Sequence, residues 1–352
     1  MIYRVVLDGN DIYSNYPDMT LLNPKVDIKL NEAGSCDFTM PYNHKYYDSP
    51  HILTSDVEVY EDGDLIWYGR VLENEVAMNK NKTVSCEGAF AFFIDSIQRP
   101  YIFEETTVHA FFRYLVSVHN GQVPENRQFI VGEITVDDKT IYRELNYETT
   151  KDAIQSMCLD AEGGYLVFRK SHGVNYVDWL TNIPYIGSQP IQFGLNITDI
   201  SNRVSGANVV SVILPLGKEI DGTKLTITEI NDGHDWIENP DAVALFGRIT
   251  KVVEFSDIGT RTELKNAAQN WLNNQSYEPF TINCSAAELH YLDGSYTAFR
   301  TGQLVQVTST PHLINKVMPI TSINISLDSP VKNLTVGTQE KRDLSEITKP
   351  SY

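Results

Sequence analysis

The stretch from Asp56 to Pro100, DVEVYEDGDLIWYGRVLENEVAMNKNKTVSCEGAFAFFIDSIQRP, constrains the fold of this chain more than any other. Val57 and Val59 alternate with polar residues, Glu61-Asp62-Gly63-Asp64 supplies turn chemistry, and a long second run follows from Leu65 to Val76. Asn79-Lys80-Asn81-Lys82 marks another turn before Thr83 to Cys86 returns. Period-two alternation broken by Asp-Gly and Asn-rich turns predicts an antiparallel meander. The run then stops at Gly88 and passes into an apolar aromatic helix in which Phe90, Phe92 and Phe93 read as core residues under the meander. Nothing in the segment is arranged for chemistry.

Upstream, Val26, Ile28 and Leu30 alternate with Lys25, Asp27 and Lys29, and Cys36, Phe38 and Met40 alternate after the turn Asn31–Gly34. That density of strands and turns predicts a small antiparallel barrel or sandwich over residues 1–96. A composition shift opens an α+β domain at 97–195. Its first helix has Thr106 or Thr107 as cap, Phe111, Leu115 and Val118 on one face, and Asn120-Gly121 as stop. Thr149 or Thr150 opens a second helix closed by Gly163-Gly164, and a hairpin turns around Ser171-His172-Gly173. From Ala207 strands resume in NVVSVILPLG, KLTITEI and RITKVVEF, then a helix over 260–275 and strands at 280–287, 303–309, 319–327 and 332–336. The expected class is α+β, mainly β, with antiparallel barrel-like domains at 1–96 and 196–337, an α+β domain between them and a polar tail at 338–352. Val305, Val307 and Leu313 repeat the spacing of Val57, Val59 and Leu65, a faint internal echo. Phe246-Gly247-Arg248-Ile249 resembles Tyr68-Gly69-Arg70-Val71 in the same way.

At 352 residues the chain exceeds one comfortable core. Its 28 basic and 46 acidic residues give a formal charge of −18, which disfavours nonspecific DNA binding. Such a charge reads first as a solvated acidic surface, with a wall that passing DNA does not stick to as the alternative. Cys36, Cys86, Cys158 and Cys284 lie far apart with no CxxC pair, so neither a zinc site nor a disulfide framework is indicated, and buried thiols fit a reducing cytoplasm. The N-terminus lacks signal-peptide regions, and no apolar run reaches the ~20 residues of a membrane helix.

The spacings of hydrolases are missing: no HExxH, GxSxG, Walker loop or GxGxxG opening a helix. Cys158 with His172 has the residue types of a thiol–imidazole pair but no flanking motif, and reads better as a core cysteine and a turn histidine. Asn231-Asp232-Gly233-His234-Asp235 is rich in oxygen ligands without the periodic acids of a calcium loop, so it reads as a polar turn. The pairs Glu104-Glu105 and Asp137-Asp138 read as solvated surface. Tyr42, Tyr46 and Tyr47, near His44, form either an interface or a loop packed on its own barrel. No catalytic residue, cofactor or metal ligand is assigned.

Taken in order, LNEAGSCDFTMPYNHKYYD (30–48), DVEVYEDGDLIWYGRVLENE (56–75), VSCEGAFAFFIDSIQRP (84–100), ANVVSVILPLG (207–217), AAQNWL (267–272) and FRTGQLVQVTSTPHLIN (299–315) resemble the N-terminal region of siphophage tail-tip proteins, the prophage tail endopeptidase or tail-associated lysin family. The resemblance covers about residues 1–337. It implies a fold similar to the central baseplate hub of contractile phages, in which two barrel domains per subunit alternate around a homotrimer. It further implies contacts with the distal tail protein and the tape-measure protein, with a downstream receptor-binding or lytic tip protein as an additional partner. The place it implies is the tail tip of a virion, after synthesis in the bacterial host cytoplasm, with DNA passing through without specific binding. The tail GTQEKRDLSEITKPSY leaves no room in this sequence for a peptidase domain, so a structural hub is expected and not an enzyme. A tail-associated cell-wall hydrolase and a receptor-binding module are the alternatives.

Overall fold

The computed structural model describes residues 3–14, 16–183, 186–204, 209–220, 222–273 and 280–337; the tail 338–352 lies outside the described residues. The meander forms where the turn chemistry predicts it. Strands Asp56–Glu61 and Asp64–Val76 are joined through Asp62 and Gly63, both at positive φ, and Lys82–Gly88 completes the set. Val57, Val59, Val71, Val84 and Cys86 are buried from one face, as period two requires.

The echo near the other end is a second meander of the same dimensions. Strands of 6, 13 and 7 residues at Asp56–Glu61, Asp64–Val76 and Lys82–Gly88 are matched by strands of 6, 13 and 7 residues at Leu304–Ser309, Ile314–Ser326 and Val331–Gly337. Both long strands carry a register shift within one residue of the same place, after the eighth residue between Val71 and Glu73 and after the seventh between Ile320 and Ser322. A shared bulge in a long strand is a stronger mark of duplication than shared valines, since it re-aims every following side chain. The other resemblance fails: Phe246 ends a helix, Pro240–Phe246, and Gly247 caps it at φ +79.

The architecture is mainly β, as expected, and its two β regions are joined edge to edge. One curled sheet of 13 strands runs in the lateral order Ile197–Val204, Phe280–Ala287, Val331–Gly337, Ile314–Ser326, Leu22–Lys29, Ser35–Met40, Lys82–Gly88, Asp64–Val76, Asp56–Glu61, Tyr3–Leu7 and Asn10–Asp11. Leu304–Ser309 pairs with Ile314–Ser326, and Ile191–Gln192 pairs in parallel with Leu304–Ser309. The joint is the antiparallel pairing of 322–326 with 25–29, and a single apolar core runs beneath both regions from Val5 to Val336.

The middle region has its own core. Helix Val108–Asn120 is capped by Thr107 and buries Phe111, Phe112 and Leu115; Thr149 caps the second helix. That helix passes over Ile154–Asp160 into π geometry, which the sequence does not announce, before Gly163 and Gly164 end it at positive φ. A three-stranded sheet of Tyr165–Ser171, Val174–Leu180 and Phe129–Ile134 packs on these helices, its last pairing parallel. Phe90, Phe92 and Phe93 form a short 3-10 segment, Ala89–Asp95, and enter this second core instead of lying under the barrel.

Residues 209–273 make a small unit with a third core, in which helix Arg261–Asn273 buries Leu264, Ala267, Ala268 and Leu272. Here the expected strands are partly replaced. Of KLTITEI only Lys224 is strand, at the end of Thr223–Lys224, and Thr228–Ile230 is 3-10, because the segment reaches no ladder long enough to hold it extended. Helix Pro240–Phe246, with Asn239 as its cap and proline at its start, adds a second helix where one was expected.

Candidate functional site: the buried ion clusters between the units

The most concentrated polar chemistry in the chain is inside it. Glu61 ends strand Asp56–Glu61 on the inward side, in register with Val57 and Val59. Lys332 occupies an inward position of Val331–Gly337, in register with Leu334 and Val336. The Lys332 ammonium lies 2.7 Å from Glu61 and 2.8 Å from Glu288. Arg300 pairs with Glu61, and the Tyr3 and Tyr291 hydroxyls both donate to it, Tyr3 at 2.9 Å. Glu288 also accepts from the Phe299 amide at 3.1 Å and from Gln189.

The cluster therefore ties one meander to the other across the shared core. Burial by itself pushes the Glu61 carboxyl up, but Lys332 and Arg300 beside it overcome that and hold its pKa down at about 2. The Tyr3 and Tyr291 hydroxyls are driven upward by burial and by Glu61.

A second cluster joins the middle region to the small unit. Arg143 is fully buried, and its guanidinium donates to Glu162 at 2.6 Å and Glu263 at 2.5 Å, with Asp257 at 3.5 Å. Burial pushes the Asp257 and Glu263 carboxyls up against the pull of Arg143. Period-two burial was the signal available in the sequence for the first cluster: a lysine at 332 and a glutamate at 61 sit where the alternation calls for apolar residues. Arg143 carries the same signal, between the buried Ile141 and Leu145.

The arrangement closest to a hydrolytic pair is Ser96 with His119. Ser96 Oγ donates to His119 Nδ1 at 2.7 Å, and His119 Nε2 donates to the Arg127 carbonyl at 3.0 Å, which fixes the tautomer. Both are essentially without solvent exposure, and burial lowers the His119 pKa. Thr150 and Gln98 complete the network, with Gln98 Nε2 donating to Thr150 Oγ1 at 2.7 Å. The imidazole's second nitrogen meets a carbonyl where a nucleophilic triad places a carboxylate, so the group reads as a satisfied core network.

Cys158 is buried among the middle core with its thiol pushed up by desolvation, whereas His172 lies in the exposed turn at φ +50 beside Ser171; the fold does not unite them as a pair. The thiols of Cys36, Cys86 and Cys284 are likewise raised by burial. Asn231 folds its side chain onto the carbonyls of His234 and Trp236, making 231–235 a closed polar turn. Glu104 and Glu105 lie exposed on a strand, and Asp138 accepts from the His109 amide at 2.9 Å near the start of a helix. His44 is buried against the Ile12 carbonyl and Tyr46 and Tyr47 pack on the core, so most of that loop covers its own sheet; Tyr42 alone of the three is exposed. Two surface hollows, around Asn23 and Thr83 and around Arg4 and Tyr16, are lined by no histidine or cysteine. Among the described residues no group of three or more His, Cys, Asp or Glu is placed to hold a metal ion, and no helix is long and apolar enough to cross a membrane.

Comparison with known proteins agrees with this architecture. No protein with a curated description matches the sequence. Among solved structures, the 43 kDa tail protein of prophage MuSo2 from Shewanella oneidensis is similar at a TM-score of 0.65 and 15% identity, covering 95% of this chain and 97% of that one. A tail protein from Neisseria meningitidis MC58 gives 0.63 at 16% identity, over 95% and 96% of the two chains. Prophage tail protein gp18 from Listeria monocytogenes EGD-e gives 0.59 at 14%, over 98% and 97%. The family described as prophage endopeptidase tail has a model that matches residues 185–347. Residues 185–347 thus match the prophage-tail family model, within a fold that the chain shares over nearly its whole length with solved tail proteins.

Proposed function

We propose that this chain is a structural hub subunit of a phage or prophage tail tip, three copies of which close the tail tube and open for DNA ejection. The observation that carries the reading is the duplicated 6-13-7 meander within one sheet. Three copies then offer six comparable β units, a match for a sixfold tube. The buried ion clusters serve this role by fixing the units to one another. In this reading the subunit carries no hydrolase chemistry and lets DNA pass without binding it. It meets the distal tail protein, the tape-measure protein and a downstream tip protein in the virion after synthesis in the host cytoplasm. Light scattering of the purified chain, or of the chain recovered from tails, is expected to give three times 39.8 kDa. A species that stays monomeric and never joins tails overturns it.

A cell-wall hydrolase is the second reading, favoured by the Ser96–His119 contact and by the word endopeptidase in the family description. Peptidoglycan zymography decides: a cleared band that Ser96→Ala or Cys158→Ala abolishes establishes the enzyme, and no clearing by the folded chain rejects it.

A further inference from the structure

Resting on the ring reading above, we propose how the copies join. The outer edge of 72–77 in one copy pairs antiparallel with the outer edge of Ile197–Val204 in the next, in the register already used once inside the chain.

The two β regions correspond strand for strand. Leu22–Lys29, Ser35–Met40, Lys82–Gly88, Asp64–Val76 and Asp56–Glu61 neighbour one another in the same lateral order as Ile197–Val204, Phe280–Ala287, Val331–Gly337, Ile314–Ser326 and Leu304–Ser309. The details around the bulge match as well. The Val71 amide donates to the Ser55 carbonyl while the Leu53 amide donates to Val71; the Ile320 amide donates to Gln303 while the Gly302 amide donates to Ile320. Val71 therefore corresponds to Ile320, and 72–77 corresponds to 321–326.

Past the bulge the two regions differ in one respect. The edge at 321–326 is occupied: the Leu30 amide donates to the Thr321 carbonyl at 3.1 Å, and Ser322 to Ser326 face Lys29 to Lys25. The equivalent edge at 72–77 pairs with no other strand among the described residues. The strand equivalent to Leu22–Lys29 is Ile197–Val204, and among the described residues it ends the sheet with one partner, Phe280–Ala287. The two open edges are thus copies of the two edges that meet inside the chain.

Burial points the same way. Ile325, on the occupied edge, is 1% exposed, while its equivalent Val76 is 58% exposed, an apolar side chain awaiting cover. An open edge of this length is a template for strand addition. The contact joins two different edges, so it is head-to-tail, and such contacts close into rings when the rotation permits.

Transferring the internal register puts Asn74 opposite Val204, Glu75 opposite Arg203 and Val76 opposite Asn202. Directly opposed residues in such pairs have Cα atoms about 4.5–5.5 Å apart, within reach of a disulfide. The full chain carrying both Glu75→Cys and Arg203→Cys is therefore expected, on mild oxidation, to give a covalent ladder that stops at three subunits on a non-reducing gel. Each single substitution and the displaced pair Glu73→Cys with Arg203→Cys should give none. Val76→Asp, at an exposed position, should leave the thermal transition of the subunit in place and abolish the trimer. A trimer by light scattering that cross-links no better at 75/203 than at 73/203, or that survives Val76→Asp, overturns this pairing and leaves the ring standing. A monomer at every concentration overturns both.

Discussion

Lys332 is the residue on which most depends, because it is fully buried between two carboxylates that nothing else on its strand can neutralise. Replacing it with methionine keeps the volume and leaves Glu61 and Glu288 with Arg300 as their nearest remaining cation. Removing one partner of a buried pair costs about 3–5 kcal/mol, and urea denaturation of Lys332→Met should show a loss of that order. The same site sets an acid limit. Glu61 titrates at about 2 when folded against 4.5 as an ordinary side chain, so its contribution is whole above pH 4.5 and lost as the pH falls towards 2. The urea midpoint of the native chain should fall across that window, and Glu61→Gln, though less stable at pH 7, should show a flatter acid limb. Gly88 makes a different demand. Its φ is ordinary, yet a Cβ there would lie 1.9 Å from the Ala33 carbonyl oxygen, so the strand must move aside for any side chain. Gly88→Ala is expected to cost about 1–3 kcal/mol, read as a lowered melting temperature. The sequence marks this glycine as an abrupt stop, but only the neighbouring hairpin turn explains why, and that contact spans residues far apart in the chain.

Elements show where local pattern suffices and where it does not. The meander at 56–88, helix Val108–Asn120 and its Thr107 cap follow from alternation, turn residues and cap chemistry, all of which act within a few residues. The joint between 322–326 and 25–29 leaves no such trace, because either strand reads the same whether its edge is open or paired. The π segment at Ile154–Asp160 is equally silent, since DAIQSMCLDA satisfies α periodicity and only the packing around Arg143 and the middle core distinguishes the two. The 3-10 segment Ala89–Asp95 was legible as apolar and aromatic but not by destination. Phe93 stacks on Phe129 with centroids 4.7 Å apart and lies 4.6 Å from His119, so it clamps the end of the meander to the middle region. Phe93→Ala should cost about 3–5 kcal/mol. Because it opens that seam first, limited proteolysis is expected to cut within 97–180 before the sheet is touched; uniform loss of the whole chain would instead show the three cores unfolding as one.

At the scale of the molecule, each copy carries a formal −18, so bringing copies together works against like charge. The proposed contact is held mainly by backbone hydrogen bonds and by cover over Val76, neither of which weakens when ions screen the surface. Its one opposed pair of unlike charge, Glu75 with Arg203, is a small attraction beside the repulsion of −18 against −18. Screening length falls from about 30 Å at 0.01 M salt to about 3 Å at 1 M. Association should therefore strengthen with added salt, and sedimentation velocity at fixed protein concentration should show the trimer fraction rising between these limits. An interface built on exposed ion pairs between copies would behave in the opposite sense and dissociate. The sign of the salt response thus separates a sheet continued from copy to copy from a surface matched charge to charge, without any substitution in the chain. If the trimer melts away as salt rises, the edge at 72–77 is not what holds the copies together.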